Sequence, residues 1–134
     1  MAPPEIDLLE ILTTHNEAWN RHDLDGLMNL FADNCVFDAS GGEEVCGTRY
    51  EGREDLRNAF AEVLETMPDA NWGTGRHFVL APGYGVSEWT LTGTRTDGLR
   101  VEVNGCDFLT VHDGKIVVKN SYRKQRSPFA VETT

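Results

Sequence analysis

No run of apolar residues in this chain comes near the roughly 18 needed to cross a bilayer as a helix. The first ten residues, MAPPEIDLLE, lack the basic segment and the apolar stretch of a secretory leader. Cysteine is scarce. Cys35, Cys46 and Cys106 are odd in number and form no C-x-x-C or Cys/His cluster. That argues against a disulfide framework or a zinc site and fits reduced thiols in a cytoplasmic protein. Basic residues are outnumbered, 12 Lys and Arg against 22 Asp and Glu, for a net charge of −10. Nucleic acid and anionic membranes both select for basic patches, so neither is expected as a partner. There is no P-loop and no G-x-G-x-x-G, so no cofactor is expected. His22, His77 and His112 have no ligand-like spacing; no metal is expected, and all three are assigned to the surface.

What is present is an ordinary globular composition. The 134 residues, 40% hydrophobic and 25% charged, suit one domain with a real core. No repeat, linker or low-complexity tract divides residues 1–134, although 1–5 and about 127–134 read as loose ends. From Ile6 to about His22, Leu8, Ile11, Leu12, His15 and Trp19 share one helical stripe. Asp23 is placed to cap a short second helix that buries Leu27, Leu30 and Phe31. CVFD reads as a short strand. The glycine-rich ASGGEEVCGTRYEG reads as a loop with another short strand around Val45–Tyr50. A third helix spans about Arg53–Met67, with Glu54 and Asp55 at its start, Leu56, Phe60, Val63, Leu64 and Met67 inward, and Pro68 ending it. Strands follow at roughly Asn71–Ala81, Gly85–Thr96, Leu99–His112 and Lys115–Arg126, joined by APGYG, TDG and HDG turns. Helices first and a long meander after them predict an α+β fold, three helices packed on one face of a curved, mostly antiparallel sheet. Such a curved sheet leaves a conical cavity under the helices, where a small ligand would bind.

One strand carries an anomaly. In LRVEVNGCDFLTVH, Leu99, Val101, Val103, Gly105, Leu109 and Val111 share a face by strand alternation, and Asp107 shares it with them. A carboxylate is thereby aimed at the apolar side. A bulge at Gly105 would shift the register and return it to water.

WNRHDLDGLMNLFADNCVFDASGG (19–42) together with GCDFLTVHDGKIVVKNSY (105–122) resembles the NTF2-like superfamily, and within it the SnoaL-like polyketide cyclase and ketosteroid isomerase branch. The resemblance spans nearly the whole chain. It implies a cone-shaped α+β fold, an interior pocket and a homodimer formed through the outer face of the sheet, where Phe108 and Thr110 would lie. The scaffold hosts many functions, so activity has to be read from the site. Carried over by position, the isomerase pattern puts its general base at Asp38 and its oxyanion-hole acid at Asp107. Its tyrosine falls at His15. SnoaL-like cyclases also place an acid/base aspartate where Asp107 stands, and often a histidine in a G-T-H triplet where this chain has Gly93-Thr94-Arg95.

On that resemblance Asp107 would stay protonated in an apolar pocket and donate to a substrate oxygen as it gains charge. Asp38 would remove a proton α to a carbonyl, and His15 would help hold the enolate. Trp19, Trp89, Arg95, Asn120 and Tyr122 are candidate pocket-lining residues. The last two are chosen for sharing strand parity with Ile116 and Val118. Each has a plainer alternative: Asp38 as a turn residue, His15 as a core histidine, Arg95 as a surface residue beside the TDG turn. The expected ligand is small and apolar, polyketide- or steroid-like, and the expected chemistry is isomerisation or aldol-type cyclisation. A non-catalytic ligand-binding or dimerisation domain is the alternative. A limonene-epoxide-hydrolase-like reading rests on Arg95-Thr96-Asp97 and is weakened by Ser121, which stands where a further aspartate is required.

Overall fold

Helix α1 (Glu5–Asn20) forms because its apolar residues recur at helical spacing, and it buries that stripe: Leu8, Leu12, His15 and Trp19 are all inaccessible. The computed structural model describes residues 5–131. Residues 1–4 and 132–134, parts of the stretches read as loose ends, lie outside it. After α1 the backbone turns through His22 in the left-handed region, at φ 55°. Asp23 then caps α2 (Leu24–Met28) by accepting the Gly26 N–H at 3.0 Å, as its position predicts. Helix α3 (Arg53–Thr66) opens with Glu54 and Asp55 at the positive end of its dipole and seats Leu56 and Phe60 fully in the core.

The strands are β1 (Phe31–Asp38), β2 (Arg49–Glu51), β3 (Arg76–Ala81), β4 (Tyr84–Thr94), β5 (Arg100–His112) and β6 (Lys115–Arg123). They form one sheet in the order β2-β1-β6-β5-β4-β3, antiparallel throughout except for β1 beside β6. The helices cover one face, giving the expected α+β cone. Strand β1 begins four residues earlier than its apolar run suggests. Strand β3 begins later, because Trp72–Gly75 is held as a loop by α1. Asn16 and Asn20 both donate to the Gly73 carbonyl, at 2.8 and 2.6 Å, and Asn20 accepts from the Trp72 N–H at 2.7 Å. The chain after β6 is not loose as far as it is described. Phe129 pairs with Arg100 across two backbone hydrogen bonds, and Arg126 stacks on its ring at 4.4 Å.

Two details of the sheet decide what faces the helices. Gly105 lies in an unbroken register, opposite Trp89 on β4 and Arg123 on β6, so no bulge intervenes and Asp107 does point inward. Strand β6 does contain a bulge. Val111 pairs with Ile116 but Thr110 pairs with Val118, so one residue is skipped. Such an insertion reverses the side-chain alternation beyond it. Lys119 and Ser121 therefore turn inward, and Asn120 and Tyr122 turn outward.

Candidate active site

The cavity between helices and sheet has a volume of about 350 Å³, within the range of small-ligand sites. His15 and Trp19 of α1, Trp89 of β4, Asp107 of β5 and Lys119 of β6 all line it. Aromatic contacts build its wall: Trp19 packs on Phe60 at 4.9 Å and on Trp72 at 5.0 Å between ring centroids.

Asp107 is 5% exposed and fully partnered on one oxygen. Its Oδ2 lies 2.9 Å from Lys119 Nζ and accepts the Trp89 indole N–H at 3.0 Å. Its Oδ1 accepts the Ser121 hydroxyl. A carboxylate offers about four lone-pair positions. Three are used, and the open one is on Oδ1. Gly105 makes this arrangement possible: a Cβ there would stand 2.4 Å from the Trp89 ring, so the glycine is the space over which the indole reaches Asp107.

The electrostatics overturn the expectation of a protonated Asp107. Burial by itself pushes its carboxyl up, but the Lys119 ammonium, then His15 and the hydrogen bonds from Ser121 and Lys119, together outweigh burial and hold it below the usual carboxylate range. Asp107 is an anion. Burial also pulls the Lys119 ammonium down from its ordinary value, and Asp107 opposes that shift. The pair is thus a charged couple inside a largely aromatic box, with Lys119 Nζ 5.3 Å from the Trp19 ring centroid and 5.7 Å from that of Phe37. Lys119 is the residue that reading the sequence missed. Its signal was there, a lysine amid the apolar IVVKNSY, but simple alternation from Ile116 put it on the wet face.

His15 is buried, and its Nε2 accepts the Trp19 indole N–H at 3.2 Å, 3.5 Å from Lys119 Nζ. Desolvation first, and the Lys119 charge second, push its pKa down to about 3. The ring is therefore neutral at any physiological pH, and its Nε2 is an acceptor. Neutral burial has a consequence for stability. The folded pKa lies below the unfolded value, near 6.5, so the stabilisation is full above that value and falls as pH drops toward 3, by about 1.4 kcal/mol per pH unit. His15→Gln keeps an acceptor for Trp19 without the titration. Its acid-unfolding midpoint, followed by circular dichroism, should move to lower pH; an unmoved midpoint would assign acid unfolding to other groups.

The other sequence candidates lie elsewhere. Asp38 sits directly opposite Arg49 on β2, on the face away from the cavity, and Phe37 takes the inward position beside it. Both Asp38 oxygens are held by Arg49, from Nε at 2.7 Å and from Nη2 at 3.0 Å. The base position inferred from the isomerase pattern is off by one residue of strand parity. Asn120 and Tyr122 face outward because of the β6 bulge, and Tyr122 is 55% exposed. Arg95 is ion-paired with Asp97 outside the cavity, which also removes both from the arrangement an epoxide hydrolase would need. His77 is not a free surface residue: its Nδ1 lies 2.7 Å from the hydroxyl of Ser87, the β4 neighbour of Asp107. Among the described residues no group of three or more His, Cys, Asp or Glu is placed to hold a metal ion.

Residues 12–119, most of the chain, match the SnoaL-like domain family. The chain belongs to that family. No curated protein matches it significantly. Solved structures share the SnoaL-like domain's NTF2-like cone. A candidate polyketide cyclase from Xanthomonas campestris pv. campestris superposes with a TM-score of 0.77 at 18% identity, covering 87% of this chain and 90% of its own. A candidate isomerase from Bacillus subtilis gives 0.76 at 17% identity, covering 89% and 87%. An NTF2-like protein of unknown function from Mesorhizobium loti gives 0.74 at 25% identity, covering 92% and 97%. At these identities the first two likenesses speak for the fold. This SnoaL-like domain has no helix among its described residues long and apolar enough to cross a membrane.

Proposed function

We propose that this SnoaL-like domain is an enzyme that abstracts a proton α to a carbonyl of a small, largely apolar substrate held in the cone cavity. The buried Asp107–Lys119 pair carries the reading. The open lone pair of Asp107 Oδ1 takes the α-proton, and the C–H electron pair moves toward the carbonyl to form an enolate. Once Asp107 is neutral, the Lys119 ammonium is released from its partner at the moment negative charge appears on the substrate oxygen. Its charge then stabilises that oxygen inside a site with little water. Trp89 and Ser121 hold the carboxylate in place. Neutral His15, an acceptor beside Lys119, positions the ammonium and takes no proton. Return of the proton from Asp107 to a different carbon completes an isomerisation; attack of the enolate on a second carbonyl gives an aldol-type ring closure. A site of this kind makes a simple demand on any ketone that enters it. The α-hydrogens of cyclohexane-1,3-dione analogues blocked at C2, or of simple cyclic enones, should exchange with D2O faster with protein than without it, as read by proton NMR. Absence of any acceleration across a panel of such ketones would favour a binding domain without catalysis.

The same reading includes a homodimer through the outer face of the sheet. Tyr84 stacks on Phe108 at 6.0 Å, Tyr122 meets Phe108 edge-on at 5.7 Å, and Tyr84, Tyr122 and Phe78 are each exposed by more than a third. Contiguous aromatic surface of this kind is characteristic of association sites. Sedimentation velocity should show a dimer at micromolar concentration, and Phe108→Glu should convert it to monomer.

A further inference from the structure

A second, outer groove of about 550 Å³ adjoins the cavity at its rim, where Ser40, Gly41, Thr66, Met67 and Arg123 border both spaces. The groove is basic in an acidic protein. Four of the chain's 12 Lys and Arg line it, Arg95, Arg123, Lys124 and Arg126, against a single acid, Asp97, which is already paired with Arg95. Partnering within the protein separates these bases further. Arg126 donates to the Glu102 carbonyl at 3.0 Å. Each of the eight basic residues outside the groove also has a carboxylate or carbonyl partner. Among the described residues, the Arg123 and Lys124 side chains have none. Of these two adjacent unpaired cations, Arg123 borders both the cavity and the groove, and Lys124 lines the groove alone of the two spaces. Arg123 and Lys124 are both exposed, so their charges are open to an incoming anion.

We propose that the groove binds the oxyanion arm, a carboxylate or a phosphate ester, of a substrate whose carbonyl end enters the inner cavity. The proposal rests on reading the cavity as the carbonyl site. It adds that the substrate is bipartite, with an apolar carbonyl portion joined to an anionic tail. Arg123 offers the planar fork that fits either oxyanion in bidentate fashion, and Lys124 adds a point charge beside it. Uncharged ketones would then bind without the rim contribution.

Direct binding tests this separately from catalysis. Quenching of tryptophan fluorescence would be titrated with three probes: 9-oxodecanoate, its methyl ester and 9-oxodecyl phosphate. The wild-type protein should prefer the carboxylate, the phosphate or both over the ester by roughly tenfold or more, as a charged hydrogen-bonding partner implies. That preference should shrink with added salt. Whichever anion is favoured identifies the tail. In Arg123→Gln/Lys124→Gln the three probes should converge on one affinity. Equal affinities in the wild type, a preference that survives in the double variant, or no binding of any probe at millimolar concentration would each overturn the proposal. Proton exchange on uncharged ketones is a separate readout. Failure there with the anion preference intact would sink the proposed chemistry alone, and the converse result would sink only the anionic tail.

Discussion

Lys119→Met should destabilise the protein by about 3–5 kcal/mol, because it strands the Asp107 carboxylate in the core without its counter-charge. Methionine fills nearly the same volume, so the loss is electrostatic and not a cavity effect. Against a typical total stability of about 5–15 kcal/mol, the change is large enough to lower the thermal midpoint by on the order of 10–20 °C at neutral pH. The pH dependence supplies the signature. Without Lys119 the hydrogen bonds from Ser121 and Trp89 are left to oppose the desolvation that pushes Asp107 up, and its folded pKa rises above the unfolded value. The penalty then applies above the raised pKa, where the unfolded chain ionises freely, and fades as pH falls and the carboxyl is protonated in both states. Adding Asp107→Asn should restore much of the loss, since the amide is neutral, its oxygen can accept from the Trp89 indole and its NH2 can donate to the Ser121 hydroxyl. Denaturant titrations of wild type, both single variants and the double variant at pH 5 and pH 8 measure the coupling directly. A Lys119→Met protein as stable as wild type at pH 8 would mean that the pair is solvated and its charges are independent.

The second large effect is on chemistry. Asp107→Asn should reduce protein-catalysed exchange of α-hydrogens by about 10²–10⁴, the usual range for removal of a general base. Asparagine preserves the size of the side chain and an acceptor for the indole N–H, but it leaves the buried Lys119 ammonium without its counter-charge, so the variant should be less stable than wild type and exchange is compared at a temperature where circular dichroism shows both folded. Asp38→Asn is the informative companion. Asp38 faces Arg49 across β1 and β2, away from the cavity, so exchange should be unchanged. A reversed outcome, with Asp38→Asn inactive and Asp107→Asn active, would restore the isomerase-like assignment and require β1 to turn by one residue in solution. Because Asp107 is held below the ordinary carboxylate range, the wild-type rate should persist at pH values where a solvated aspartate would already be protonated.

The sequence determined the elements and their order almost completely. Helical spacing located α1 and α3, an aspartate marked the cap of α2, and glycine turns separated the meander. Local patterns suffice there because each depends on residues within a turn or a strand of one another. Alternation in β5 also pointed Asp107 inward, but the alternative of a bulge at Gly105 was removed only by the pairing of β5 with both neighbours, which is unbroken there. What the sequence could not decide was everything that depends on strand parity across an irregularity, or on which charge meets which. One skipped residue in β6 exchanged Asn120 and Tyr122 for Lys119 and Ser121, and no local pattern around Val117 announces it. One position of parity in β1 turned Asp38 toward Arg49. The largest reversal followed from the first of these. An aspartate alone in an apolar pocket is a neutral acid, whereas the same aspartate 2.9 Å from a buried lysine is an anion. That distance is set by the pairing of β5 with β6, so the charge of the central residue of the site is a property of the tertiary structure.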